Sequence, residues 1–124
     1  MKTTTILTAA ATAFALSTLT AFAAPGGIEV KDGVLTDING MTLYIFDKDE
    51  PGVTNCYEQC AINWPPLTAI AGDMEEGDYS LVERTGGEKQ WAYKGMPLYL
   101  WIKDANPGDK TGDGVGGVWH LAVE

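Results

Sequence analysis

The sequence is poor in the residues that do chemistry. It has one histidine, His120, and two cysteines, Cys56 and Cys60. His120 lies in no recognisable nucleophile motif, and Ser80 has no Gly-x-Ser-x-Gly surroundings. There is no His-rich metal constellation and no glycine loop of the phosphate-cradling kind. Carboxylate pairs such as Asp47 and Asp49 need a cleft before they become an acid and a base. These absences argue against an enzyme, and no catalytic residue is assigned. Basic residues are scarce too: 8 Lys and Arg stand against 17 Asp and Glu. The acids gather in loop-like stretches at Asp47 to Glu50, Asp73 to Asp78 and Asp104 to Asp113. That distribution repels phosphate backbones and anionic lipid, so nucleic acid is excluded as a partner while cations, uncharged ligands and basic protein surfaces remain. Beyond Ala23 nothing approaches the run of about 20 apolar residues that a transmembrane helix requires.

What is present begins with an export signal. Lys2 supplies a positive end, Ile6 to Leu19 an apolar stretch, and Ala21-Phe22-Ala23 a small-x-small cleavage site, so residues 1–23 read as a signal peptide. No cysteine near that site is available for a lipid, which favours a soluble exported protein, periplasmic or secreted. Loss of Lys2 leaves 7 basic against 17 acidic side chains, a net charge of −10. Residues 24–124 are enough for one domain, small enough that a covalent staple would help.

Within that domain the chain says nearly the same thing twice. Gly40-Met41-Thr42-Leu43-Tyr44-Ile45-Phe46-Asp47-Lys48-Asp49 returns 55 residues later as Gly95-Met96-Pro97-Leu98-Tyr99-Leu100-Trp101-Ile102-Lys103-Asp104. Trp64 maps onto Trp119 at the same offset. Two copies are too few for a solenoid and point to a duplicated supersecondary unit, with halves at about 28–67 and 80–124. Val34 to Ile38, Asn39-Gly40 and Met41 to Phe46 predict a hairpin with a two-residue turn, and Gln90 to Tyr93, Lys94-Gly95 and Met96 to Trp101 predict another. In each repeated strand the aliphatic Leu43 and Ile45, or Leu98 and Leu100, point one way. The aromatic Tyr44 and Phe46, or Tyr99 and Trp101, point the other. Leu81 to Thr85, Val118 to Val123 and Ile28 to Val30 are further strand candidates. Asn55 followed by Glu58 has the form of a capping box, which predicts a short helix over Cys56 to Asn63. Ala69 to Asp78 reads as the connector. The expected fold is all-β: duplicated hairpin units forming one small sandwich or barrel-like domain with a short helical insertion.

Four groups are candidates for chemistry. Two cysteines four apart in an exported chain argue first for a Cys56–Cys60 disulfide. Kept reduced, the same pair with His120 would offer soft ligands for Cu(I). Asp109-Lys110-Thr111-Gly112-Asp113-Gly114 imitates the start of a calcium loop, with Asp109, Thr111 and Asp113 as oxygen donors, but the twelfth position is His120 rather than a glutamate. Tyr44, Phe46, Tyr99 and Trp101, with Trp91 and Tyr93, form either a stacking platform for a planar ligand or the core of the domain. No cofactor is expected on balance, with copper and calcium as the alternatives.

With both copies laid out, the chain resembles a bacterial family of secreted repeat proteins, also described as predicted lipoproteins, that carries a Tyr-x-(Phe/Trp/Tyr)-x-x-Asp motif. Tyr44-Ile45-Phe46-Asp47-Lys48-Asp49 and Tyr99-Leu100-Trp101-Ile102-Lys103-Asp104 both fit it. The likeness continues through Cys56 to Ala61, Trp64 to Leu67, Gln90 to Tyr93 and Pro107 to Trp119. It implies export and a duplicated fold, and no substrate. The resulting expectation is an exported, non-catalytic binding or envelope-associated domain whose partner is a small ligand or an envelope protein. The alternative is a periplasmic copper-binding or thiol-redox protein using Cys56 and Cys60. Asp49 and Asp104, closing the two motifs, are expected to accept hydrogen bonds from backbone amides of the following turns.

Overall fold

A computed structural model describes residues 24–124, so the expected signal segment, residues 1–23, lies outside the described residues. Seven strands and one short helix follow in the order β1 (Glu29–Lys31), β2 (Val34–Thr36), β3 (Tyr44–Phe46), α1 (Gln59–Asn63), β4 (Tyr79–Glu83), β5 (Lys89–Tyr93), β6 (Met96–Pro97) and β7 (Trp119–Leu121). They pair antiparallel as β1-β2, β3-β7 and β4-β5-β6, with Pro97 in the edge strand β6. The sheets stay separate and do not close into a barrel, which corrects that half of the expectation. Strands of two to five residues, broken by glycine turns, are too short to carry a continuous ladder around a closed ring.

The two copies are joined at their centres. Tyr44 N donates to Tyr99 O at 2.8 Å and Tyr99 N donates back to Tyr44 O at 2.9 Å. Around that pair the ladder repeats itself. Ala122 N to Leu43 O (2.9 Å) matches Leu67 N to Leu98 O (3.0 Å), and Leu35 N to Ala122 O (2.8 Å) matches Trp91 N to Leu67 O (2.8 Å). The sequence repeat, offset by 55 at Leu43/Leu98 and Leu67/Ala122 and by 91 − 35 = 56 at Leu35/Trp91, thus becomes a pseudo-two-fold relation in space. The expected split of the repeated strands is realised. Leu35, Leu43, Leu98, Ile28, Trp91 and Ala122 form one buried cluster, and Tyr44, Phe46, Cys56, Trp64, Tyr99 and Trp119 form another.

Two local expectations need correction. The first hairpin does not turn on Asn39-Gly40 alone. Asp37 Oδ1 accepts the amides of Asn39 (2.8 Å) and Met41 (2.9 Å), so the Asp37 side chain replaces a strand partner and β2 ends at Thr36. The second hairpin does use two residues, Lys94 at φ 50° and Gly95 at φ 87°, the left-handed pair a tight turn needs. The helix begins at Gln59 rather than Cys56, with Glu58 at φ 58° and no capping side chain. The capping box fails because its parts are used elsewhere: Asn55 Nδ2 donates to Lys48 O (2.7 Å), and Cys56 O accepts Arg84 Nη2 (2.6 Å).

Candidate functional site

The six motif residues come together at the pseudo-two-fold axis and serve each other. Tyr44 and Tyr99 are fully buried. Each phenol crosses to the aspartate of the opposite copy: Tyr44 donates to Asp104 Oδ2 at 2.6 Å, and Tyr99 to Asp49 Oδ2 at 2.6 Å. The other carboxylate oxygens take the expected backbone amides, Asn55 N on Asp49 (2.7 Å) and Thr111 N on Asp104 (3.0 Å). The phenol bonds to the opposite copy are additional to that expectation.

Between the tyrosines runs a stack of four rings. Phe46 lies 4.2 Å from Trp119, Trp119 3.8 Å from Trp64 at an interplanar angle of 4°, and Trp64 3.9 Å from Trp101. Tyr44 meets Trp64 edge-on at 5.4 Å and Tyr99 meets Trp119 edge-on at 5.1 Å. These aromatics are core, which removes Tyr44, Tyr99 and Trp91 as a ligand platform. Trp101 and Tyr93 keep partial exposure. Gly112 closes the cluster: a Cβ there would stand 2.8 Å from Trp64 and 2.9 Å from Tyr44.

The copies differ in what supports the buried carboxylates. Tyr99 spends its only proton on Asp49, so Thr54 Oγ1, 2.5 Å away, donates to the phenol oxygen. Thr54 in turn accepts Arg84 Nη1 (3.1 Å), and Arg84 also donates to Gln90 Oε1 (2.7 Å). A polarised chain therefore leads from a buried guanidinium to a buried carboxylate. Burial still raises the Asp49 carboxyl above its ordinary value, against the lowering effects of Tyr99, the Asn55 amide and Arg84. Burial, then the facing carboxylates, raises both phenols well above theirs.

Cys56 and Cys60 are joined in a disulfide with Cα atoms 5.2 Å apart, so in this state neither sulfur is a thiolate. His120, on β7, pairs its Nε2 with Asp47 Oδ2 at 2.8 Å on the surface. The calcium-like loop is internally bonded: Asp109 Oδ2 accepts the amides of Ala105 and Asn106, Thr111 Oγ1 donates to Asp104, and Asp113 Oδ1 accepts Leu121 N. Among the described residues no group of three or more His, Cys, Asp or Glu is arranged to hold a metal ion.

A different feature is open to solvent. A groove of about 700 Å³ runs between the start of the described chain and the end of the connector. Glu29, Glu76, Asp78 and Glu124 line it beside Tyr79 and Tyr93, whose rings lie 5.0 Å apart. Burial raises the Tyr79 phenol, and the charges of Glu124 and Asp78 add to the effect. The lining comes from widely separated segments that no sequence pattern connects, and Tyr93 is its one aromatic among the sequence candidates.

Comparison with known proteins joins this geometry at one point. A family described as a secreted repeat of unknown function matches residues 26–68 and again residues 80–123. The chain belongs to that family. Its two matches fall on the two halves that exchange Tyr44 and Tyr99, and each half sends its last segment across to the other, Ala122 to Leu35 and Leu43, and Leu67 to Trp91 and Leu98. No curated protein and no solved structure matches the chain significantly. Among the described residues no helix of this secreted repeat protein is long and apolar enough to cross a membrane.

Proposed function

We propose that this secreted repeat protein is an exported, non-catalytic binding domain, and that the acidic groove beside Tyr79 and Tyr93 is where it meets its ligand. The groove carries the reading. Its volume of about 700 Å³ suits a small molecule or a short peptide segment, and it joins half-buried aromatic rings to carboxylates. That combination favours a cationic ligand with an apolar body, because a ring face attracts ammonium and guanidinium groups while carboxylates select their charge. Tyr93 already holds the Lys94 ammonium 5.3 Å from its ring centroid. The motif carboxylates, by contrast, are committed to tyrosines and amides, which supports a scaffold role for them rather than acid–base work.

The test is titration of the exported protein with a short lysine-rich peptide, followed by calorimetry at two salt concentrations. Saturable binding that weakens with salt and is lost in a Glu76→Gln/Asp78→Asn variant supports the assignment. Equal binding of a glutamate-rich peptide, or unchanged binding in the variant, overturns it.

A further inference from the structure

A second, smaller pocket lies on the opposite chemistry. It has a volume of about 200 Å³ and is lined by Lys31, Asp32, Thr36, Gly40, Thr42 and Lys110, among others. Two of the chain's 8 basic residues therefore converge on one cavity in a protein of net charge −9. The Lys31 Nζ stands 3.9 Å from where a Cβ on Gly40 would be, and Lys110 Nζ donates to Gly108 O at 3.3 Å. Gly108 N in turn donates to Gly40 O (3.2 Å), which ties the loop that carries Lys110 to the turn that the Lys31 ammonium approaches.

One residue of the pocket's lining also carries an unexplained polar atom. Thr42 is 1% exposed, and its Oγ1 is a buried side-chain atom without a hydrogen-bond partner. Leaving a hydroxyl in that state costs about 1–3 kcal/mol, so a native structure that keeps one invites a reason. Its cross-strand neighbour Thr36 makes only a long bond, 3.4 Å, to Glu29 O.

The duplication supplies an internal control. The pairing of Thr36 with Thr42 is repeated in the second copy by Ala92 with Pro97, and the pairing of Lys31 with Val34 by Val82 with Gln90. Gly40 against Pro107 is likewise repeated by Gly95 against Pro51. The same backbone is thus built in the second copy with Ala, Pro and Val where the first has Thr, Thr and Lys. The scaffold does not require the hydroxyls or the ammonium group.

We infer that this pocket is a binding site for a small oxyanion, of phosphate, sulfate or carboxylate type, held between Lys31 and Lys110 and accepting a hydrogen bond from Thr42. The volume is below that of drug-sized sites, which suits an anion of a few heavy atoms. Asp32 at the rim offsets one of the two positive charges, leaving a site of net charge +1.

The experiment is an amide-resolved NMR titration of the protein with inorganic phosphate at constant ionic strength, balanced with chloride. The expected result is saturable shifts at the Thr36, Gly40, Thr42 and Gly108 amides, with the matching Ala92 and Gly95 amides unmoved. Thr42→Val should leave the melting temperature unchanged or raised while weakening phosphate on the order of tenfold, the effect of one lost bond to a charged acceptor. Lys31→Gln/Lys110→Gln should abolish saturation. Absence of saturable shifts, equal shifts with chloride, or undiminished binding in both variants overturns the proposal.

Discussion

Tyr44 of the first copy gives its phenol proton to Asp104 of the second, across 2.6 Å of buried interior. Its counterpart, Tyr99 to Asp49, runs the other way at the same distance. Removing either hydroxyl leaves a carboxylate short of a donor. Tyr44→Phe and Tyr99→Phe should each lower stability by about 1–3 kcal/mol in chemical denaturation. Each change also deprives a buried donor of its acceptor, Thr54 Oγ1 in Tyr99→Phe and the Gly112 amide in Tyr44→Phe. A double-mutant cycle of Tyr44→Phe with Asp104→Asn should return a coupling of at least about 0.5 kcal/mol; additive effects would contradict the bond.

The same two phenols set the behaviour in base. Both have folded-state values raised above the ordinary 10.0, first by burial and then by the facing aspartates. Their contribution is fully present below pH 10 and is lost as pH rises above it, because the unfolded chain gives up protons that the folded chain retains. The slope should be about 1.4 kcal/mol per pH unit for each such tyrosine, and either Phe variant should remove one increment of that size. The share of the tyrosinate absorbance that is lost in Tyr44→Phe or Tyr99→Phe should appear only together with unfolding; its appearance in a still-folded protein would refute the burial of these two hydroxyls.

Gly112 has three rings around the place where a side chain would begin. Gly112→Ala should destabilise by about 1–3 kcal/mol through overpacking and broaden the tryptophan signals in NMR spectra. An unchanged melting temperature would mean that the ring stack yields freely.

Trp64 and Trp119 lie near-parallel at 3.8 Å, close enough for their electronic transitions to couple. An exciton couplet is expected in the far-ultraviolet circular dichroism, lost in Trp64→Leu under conditions where that variant remains folded. Persistence of the couplet would assign it to another pair.

The disulfide closes a short loop, so Cys56→Ser/Cys60→Ser should cost roughly 2 kcal/mol and leave the fold intact. Thiol counting on the exported protein under denaturing conditions should find none free.

Much of this architecture was legible in the residues. The offset between the copies located the paired hairpins, and alternation along Leu43-Tyr44-Ile45-Phe46 separated the aliphatic cluster from the aromatic one. The register of one copy against the other is not written in local pattern, so the sequence points Asp49 and Asp104 to nearby amides and carries no sign of the tyrosines across the axis. Local signals failed where a distant group competed for the same atoms. Arg84 draws off the Cys56 carbonyl that a longer helix would need, and the Asp37 carboxylate lengthens a turn that Asn39-Gly40 alone would make tight. The groove and the small pocket are assembled from loops with no periodicity, so only their coordinates reveal them.

Each hairpin turn also reaches over to hold the loop that follows the other copy's motif, Gly52 N on Gly95 O and Gly108 N on Gly40 O. A contact set in which every bond has a mirror bond is what an isologous homodimer makes. The protein is in this sense a dimer tied into one chain by the stretch 69–78, and an unduplicated progenitor with the same motif would have needed a second molecule of itself to satisfy its tyrosine and its aspartate. Fusion released the two sides to diverge, and the Arg84 chain and the lysine-lined cavity, each present on one side only, are where they did.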